Sequence, residues 1–199
     1  GRTFSASLQM GWNNRWIDDY LLAENYFSED LDSIIQQNQW TDALSKTFNI
    51  GGEINYTESF NDYNKVKFVF ESTFSNSTSD RFVYQYNEAT NDYSIQDITL
   101  SNEFENRNIS QKLGATYKYE KDKFELSLGG NYQYTQLNSD RTYPNYIEVY
   151  KKYHNLLPST QLEYKYSKGN NINLFYRTST KSPSVSQLQD VIDNTNPLN

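Results

Sequence analysis

The chain has no cysteine, one histidine (His154), four prolines and eight glycines among 199 residues. Without cysteine there is no disulfide framework and no thiolate metal site, although this selects no compartment. With one histidine and no G-x-S-x-G elbow, a Ser–His–Asp arrangement lacks its parts. A zinc site lacks ligands in the same way. No enzyme activity, cofactor or metal is expected. No apolar run approaches the ~18 residues that a membrane helix needs. The charge of −7 comes from 18 basic and 25 acidic residues without a basic cluster, so nucleic acid is set aside as a partner.

Hydrophobic residues make up 36%, and with the glycines the sum stays below the roughly 45–50% of ordinary globular domains. Aromatics nevertheless reach 16%, with 18 Tyr and 11 Phe, which argues against general disorder. A polar, tyrosine-rich chain suits a barrel with a wet interior. The chain begins GRTFSASLQM, without an initiator Met or the build of a signal peptide, and ends DNTNPLN in a loop-like segment. It reads as an excerpt of a longer protein.

What is present is alternation. In 47–56, 65–74, 112–119, 124–135, 160–166 and 171–177, one parity holds apolar residues or Tyr almost throughout. Examples are Phe48, Ile50, Ile54 and Tyr56, then Val66, Phe68, Phe70 and Phe74, then Leu113, Ala115, Tyr117 and Tyr119. Phe124, Leu126, Leu128, Tyr132 and Tyr134 continue it, followed by Leu162, Tyr164 and Tyr166, and by Ile172, Leu174 and Tyr176. No charge falls on that parity. The other carries Glu53, Lys65, Lys67, Glu71, Lys112, Lys118, Glu125, Glu163, Lys165 and Arg177, with only Val69 and Phe175 large and apolar. Successive strand side chains point to opposite sides, so these are strands with one apolar and one polar face. The apolar imbalance carries more weight than the charge segregation. RTFSASLQM (2–10) adds another strand, with Phe4, Ala6, Leu8 and Met10 in step.

The links alternate. Those at 58–64, 120–122 and 167–170 are short, whereas 11–45, roughly 76–106, 139–154 and 178 onward are long and polar. An outer-membrane barrel has tight periplasmic turns and long extracellular loops. Near the short turns stand Tyr56, Phe60, Tyr63, Tyr117, Tyr119, Phe124, Tyr164 and Tyr166, the girdle expected at a lipid–water boundary. The fold expected is therefore an antiparallel transmembrane β-barrel piece of about seven or eight strands. Its apolar face meets lipid, and Glu53, Lys65, Lys67, Glu71, Lys118, Glu125, Glu163, Lys165 and Arg177 face the lumen. Within 11–45, Ser28 as N-cap with Leu31, Ile34 and Ile35 on one side predicts a short helix over SEDLDSIIQQN.

Other groups are weaker signals. Glu29, Asp30 and Asp32, like Glu103 and Glu105, match no calcium-loop spacing and read as solvated acidic residues. The sequons NYT, NST and NIS are chance matches in an Asn-rich chain. Tyr143, Tyr146, Tyr150 and Tyr153 are candidate extracellular ligand contacts, stacking on a sugar or other ring. The alternative, that they extend the strands and pack on one another, is favoured. The charged ladder either selects a charged solute or pairs within itself, and pairing is the commoner arrangement.

Three stretches resemble the outer-membrane barrel region of TonB-dependent receptors: SKTFNIGGEINYTESF (45–60), LSNEFENRN (100–108) and YRTSTKSPSVSQLQDVIDNTNPLN (176–199). The last is the most specific, although the Gly-Asn-Pro element that usually follows is not reached. The resemblance implies a Gram-negative bacterial outer membrane, a 22-stranded barrel with an N-terminal plug, and TonB-dependent uptake of a nutrient. It implies outer-membrane lipid and the TonB complex as partners, with a surface lipoprotein as a further candidate. Two alternatives stand beside it: a non-transporting barrel that scaffolds surface proteins, and a soluble carbohydrate-binding β-sandwich.

Overall fold

The computed structural model describes residues 1–26, 34–181 and 183. They form one antiparallel sheet. In chain order the strands are β1 (Arg2–Tyr26), β2 (Ile34–Ser59), β3 (Asn64–Asn87), β4 (Asp92–Gln96), β5 (Asn102–Lys121), β6 (Phe124–Tyr143), β7 (Ile147–Ser167) and β8 (Asn170–Arg177). Each pairs with the next in a meander, except that the short β4 folds back on β3 alone, so β5 also pairs with β3. β1 and β8 are the two edges and do not pair with each other.

Register turns the alternation of single strands into two continuous faces. Directly opposed residues of an antiparallel pair point the same way. One row runs Ala6–Ile54–Phe70–Leu113–Tyr132–Leu156, and the next Phe4–Tyr56–Phe68–Ala115–Gly130–Pro158. Nearer the short turns, Tyr117–Leu128–Thr160–Tyr176 and Leu126–Leu162–Leu174 continue the same face. The apolar band slides along the strands across the sheet: Phe4 of β1 shares a row with Pro158 of β7, yet β7 continues as apolar to Tyr164. Strand tilt and register stagger in a barrel wall produce such a slide.

Among the described residues, nothing covers this face. Leu8 is 75% exposed, Leu113 59% and Leu156 79%. A soluble sandwich would press such a face onto a second sheet, and the described residues form one sheet. That corrects the sandwich alternative. Of the few described buried apolar side chains, Val83, Leu100, Phe104 and Leu137 lie toward the end opposite the short turns, and Leu157 sits on the polar face of β7 opposite Asn131. There the segment 97–101 is tied down by Asp97 N–H to the Val83 carbonyl (2.7 Å) and Val83 N–H to Ser101 Oγ (3.0 Å). Burial works against the Asp97 carboxylate. Hydrogen bonds from the Thr99 hydroxyl, Gln85 and the backbone of Leu100 and Thr99 still hold it below its ordinary range.

The tight turns follow their sequence. Asn61 Oδ1 accepts the N–H groups of Tyr63 and Asn64 at 3.0 and 2.9 Å, closing 60–63. Gly169 turns with φ +83°, a conformation that favours glycine.

The long links are another correction. Most of 11–45 is strand, with β1 and β2 paired from Gly11↔Asn49 out to Tyr26↔Ile34. Residues 76–87 continue β3, 92–96 form β4, and only 144–146 separate β6 from β7. Polar strands above an apolar band need no buried face, because pairing satisfies their backbone and water satisfies their side chains. That is why alternation fades there while the ladder persists. The expected helix is overturned where it can be seen: Ile34 and Ile35 begin β2, opposite Tyr26 and Asn25. β-branched side chains favour a strand, and β1 offers the ladder. Ser28 and Leu31 lie outside the described residues, as does most of 178–199 beyond Lys181.

Candidate functional site

The polar face is built by the same register that builds the apolar one. Glu53 stands opposite Glu71, Glu71 opposite Lys112, Lys65 opposite Lys118, and Glu125 opposite Glu163. Lys67 faces Thr116, Lys165 faces Asn171, and Arg177 faces Ser159. All nine charged residues expected on one wall therefore share it.

Several charges neutralise each other across strands. Lys118 Nζ lies 2.8 Å from Glu125 Oε1 on β6 and 3.2 Å from Glu120 Oε2 on its own strand. Lys112 forms an ion pair with Glu71. Lys165 Nζ is 3.5 Å from Glu163 Oε1, which also accepts from Asn171 Nδ2 at 3.2 Å. These pairs are partly exposed, so each contributes about 0–1 kcal/mol and mainly sets local charge. Of the nine, Lys65, Lys67 and Arg177 are the cations without an ion pair among the described residues.

A model of the outer membrane protein beta-barrel family matches residues 1–199. The chain belongs to that family. Its location is therefore the bacterial outer membrane. No curated protein matches the chain.

The four tyrosines expected to gather in this barrel protein do not form one patch. Tyr150 projects on the side of the apolar face, opposite Asn138, with Lys152 Nζ 5.2 Å from its ring centre. Tyr153 is on the polar face, opposite Thr135. Tyr143 meets Phe82 edge-on at 5.9 Å, and Tyr146 sits exposed in the 144–146 link. Consecutive strand residues alternate faces, so a tyrosine cluster in sequence is split in space. His154 is on the apolar-face side, its Nδ1 2.6 Å from the Tyr132 hydroxyl. Glu105 is held by Arg107 at 2.7 Å, and Glu103 accepts from Thr142 at 3.2 Å. Glu29, Asp30 and Asp32 lie outside the described residues.

The sequence reasoning missed an aromatic row on the apolar-face side, beyond the band. Tyr20, Trp40 and Tyr84 occupy one register row across β1, β2 and β3. Tyr20 stacks on Trp40 at 6.3 Å and Trp40 on Tyr84 at 5.3 Å, and Tyr93 of β4 meets both Tyr20 and Tyr86 edge-on at 5.3 Å. Trp40 Nε1–H donates to Asp18 at 2.6 Å and Trp16 Nε1–H to Asp42 at 2.9 Å, diagonally across the β1–β2 pair. The signal was legible in part: Trp12, Trp16 and Tyr20 are four residues apart and so share one face of a strand.

Proposed function

We propose that the chain forms part of the barrel wall of a TonB-dependent transporter that imports a nutrient across the outer membrane. The apolar face meets lipid, and the polar face lines the lumen. The observation that carries this reading is the arrangement of the two faces. One uncovered apolar band backs a wall of charged and polar side chains that runs from edge to edge of a sheet with free β1 and β8 edges. An unpaired strand edge in lipid costs several kcal/mol per backbone group, so those edges pair with further strands of a larger barrel. The height of the wall adds support: β1, β2 and β3 have 25, 26 and 24 residues, whereas a bilayer needs about 9–11 per strand. The likeness of 176–199 to TonB-dependent receptors supplies the energy source and the 22-stranded parent.

The test is uptake. Cells carrying the full-length protein should accumulate a labelled nutrient that cells lacking it do not, and deleting TonB should abolish the difference. A scaffolding barrel would show no TonB-dependent uptake and would instead lose its surface partner from the membrane when deleted.

A further inference from the structure

The polar face holds a hollow that the ion pairs do not explain. Two register rows meet there, Thr116–Gly129–Ser159–Arg177 and Ser127–Gln161–Phe175. They surround a cavity of about 310 Å³, at the small end of the roughly 300–1,000 Å³ typical of ligand sites. Gly129 stands between Thr116 and Ser159 in the first row. A Cβ there would fall 2.7 Å from Thr116 Oγ1 and 2.8 Å from Ser159 Oγ, so two hydroxyls converge over the space the glycine leaves.

Much of the polar lining is chemically unspent, although the Thr178 hydroxyl donates to the Pro158 carbonyl at 2.9 Å. Among the described residues, no hydrogen bond engages the side chains of Thr116, Ser127, Ser159 or Gln161. Among the described residues, Arg177 is the only charged one lining the hollow. Phe175 is 69% exposed on the polar face, with Leu157 also lining the hollow, so its ring buries little within the sheet and offers a flat apolar surface.

We infer that this hollow is a subsite for an acidic sugar, which rests on the reading of the polar face as the lumen of a transporter. A pyranose has an apolar C–H face and a ring of hydroxyls. Phe175 stacks on the first. The Thr116, Ser127 and Ser159 hydroxyls and the Gln161 amide, each able to donate and accept, meet the second. Arg177 binds the carboxylate in a two-pronged, charge-assisted contact. One guanidinium in the lining matches a single negative charge, such as the carboxylate of a uronic acid.

The experiment is calorimetric titration of the purified full-length protein with a glucuronic-acid-containing trisaccharide. The comparison ligand is the neutral trisaccharide in which that carboxyl is reduced to the alcohol. The wild type should bind the acid about tenfold more tightly or better, the effect of one charge-assisted contact. Arg177→Gln should erase that preference, Arg177→Lys should keep part of it, and Phe175→Ala should weaken both ligands. Heat-modifiability checks that each variant folds, and Arg177→Lys with Phe175→Ala decides the matter if Arg177→Gln does not. Equal binding of acid and neutral forms, binding of neither, or a preference untouched at Arg177 overturns the inference. Because binding is read without TonB, a protein that binds but does not import fails only the transport reading. One that imports another nutrient and ignores both trisaccharides fails only the subsite.

Discussion

Trp40 of β2 stacks on Tyr84 of β3, ring centres 5.3 Å apart and planes 26° from parallel. The pair sits where the strands have left the apolar band and have only each other for support. Aromatic pairs contribute about 0.5–1.5 kcal/mol beyond their buried area. Trp40→Ala removes two stacks and the hydrogen bond to Asp18. It should leave membrane assembly intact but loosen the far ends of β1 and β2. Limited proteolysis on intact cells should then cut near 20–40 several times faster than in wild type. An unchanged cleavage rate would mean that the row does not brace these strands.

The two faces differ in what they tolerate. Phe70 lies mid-band between Ile54 and Leu113, and a charge facing lipid at mid-membrane costs about 2–4 kcal/mol. Phe70→Arg should therefore assemble poorly. Lys67→Glu, on the polar face opposite Thr57 and Thr116, should fold nearly normally. Heat-modifiability of the two variants in outer-membrane preparations ranks them, and the reverse ranking would mean that the faces are assigned the wrong way round.

Sidedness is read by labelling. Cysteines placed at Asn91 or Asn145, in the links at the far end of the wall, should react with an impermeant reagent on intact cells. Cysteines at Asp62 or Asp122, in the tight turns, should not. Labelling of the tight turns alone would invert the topology.

What the sequence disclosed was whatever the solvent sorted. Where one side of a strand meets an apolar surround, as at Phe48–Tyr56 or Phe124–Tyr134, alternation is enforced and the face can be read residue by residue. Beyond the band both sides meet water. There NNRWIDDYLLAENY has no period and reads as loop, although β1 and β2 remain paired along it. Register was the second hidden quantity. Thr116, Gly129, Ser159 and Arg177 lie on four strands, and only the pairing of those strands brings them into one row. The charged wall escaped this difficulty, because membership of a face needs parity alone. The identity of each partner, such as Glu125 for Lys118, still needed the register.

The most direct measurement is to produce residues 1–199 alone, refold them in detergent, and compare mobility before and after heating. The proposed function makes this sheet one wall of a larger barrel, its β1 and β8 edges completed by other strands. It predicts a polydisperse product with no heat-dependent shift, because open edges in an apolar medium leave backbone groups unpaired. A monodisperse, heat-modifiable species would mean that β1 and β8 can close on each other, and would contradict the account in favour of a small autonomous barrel.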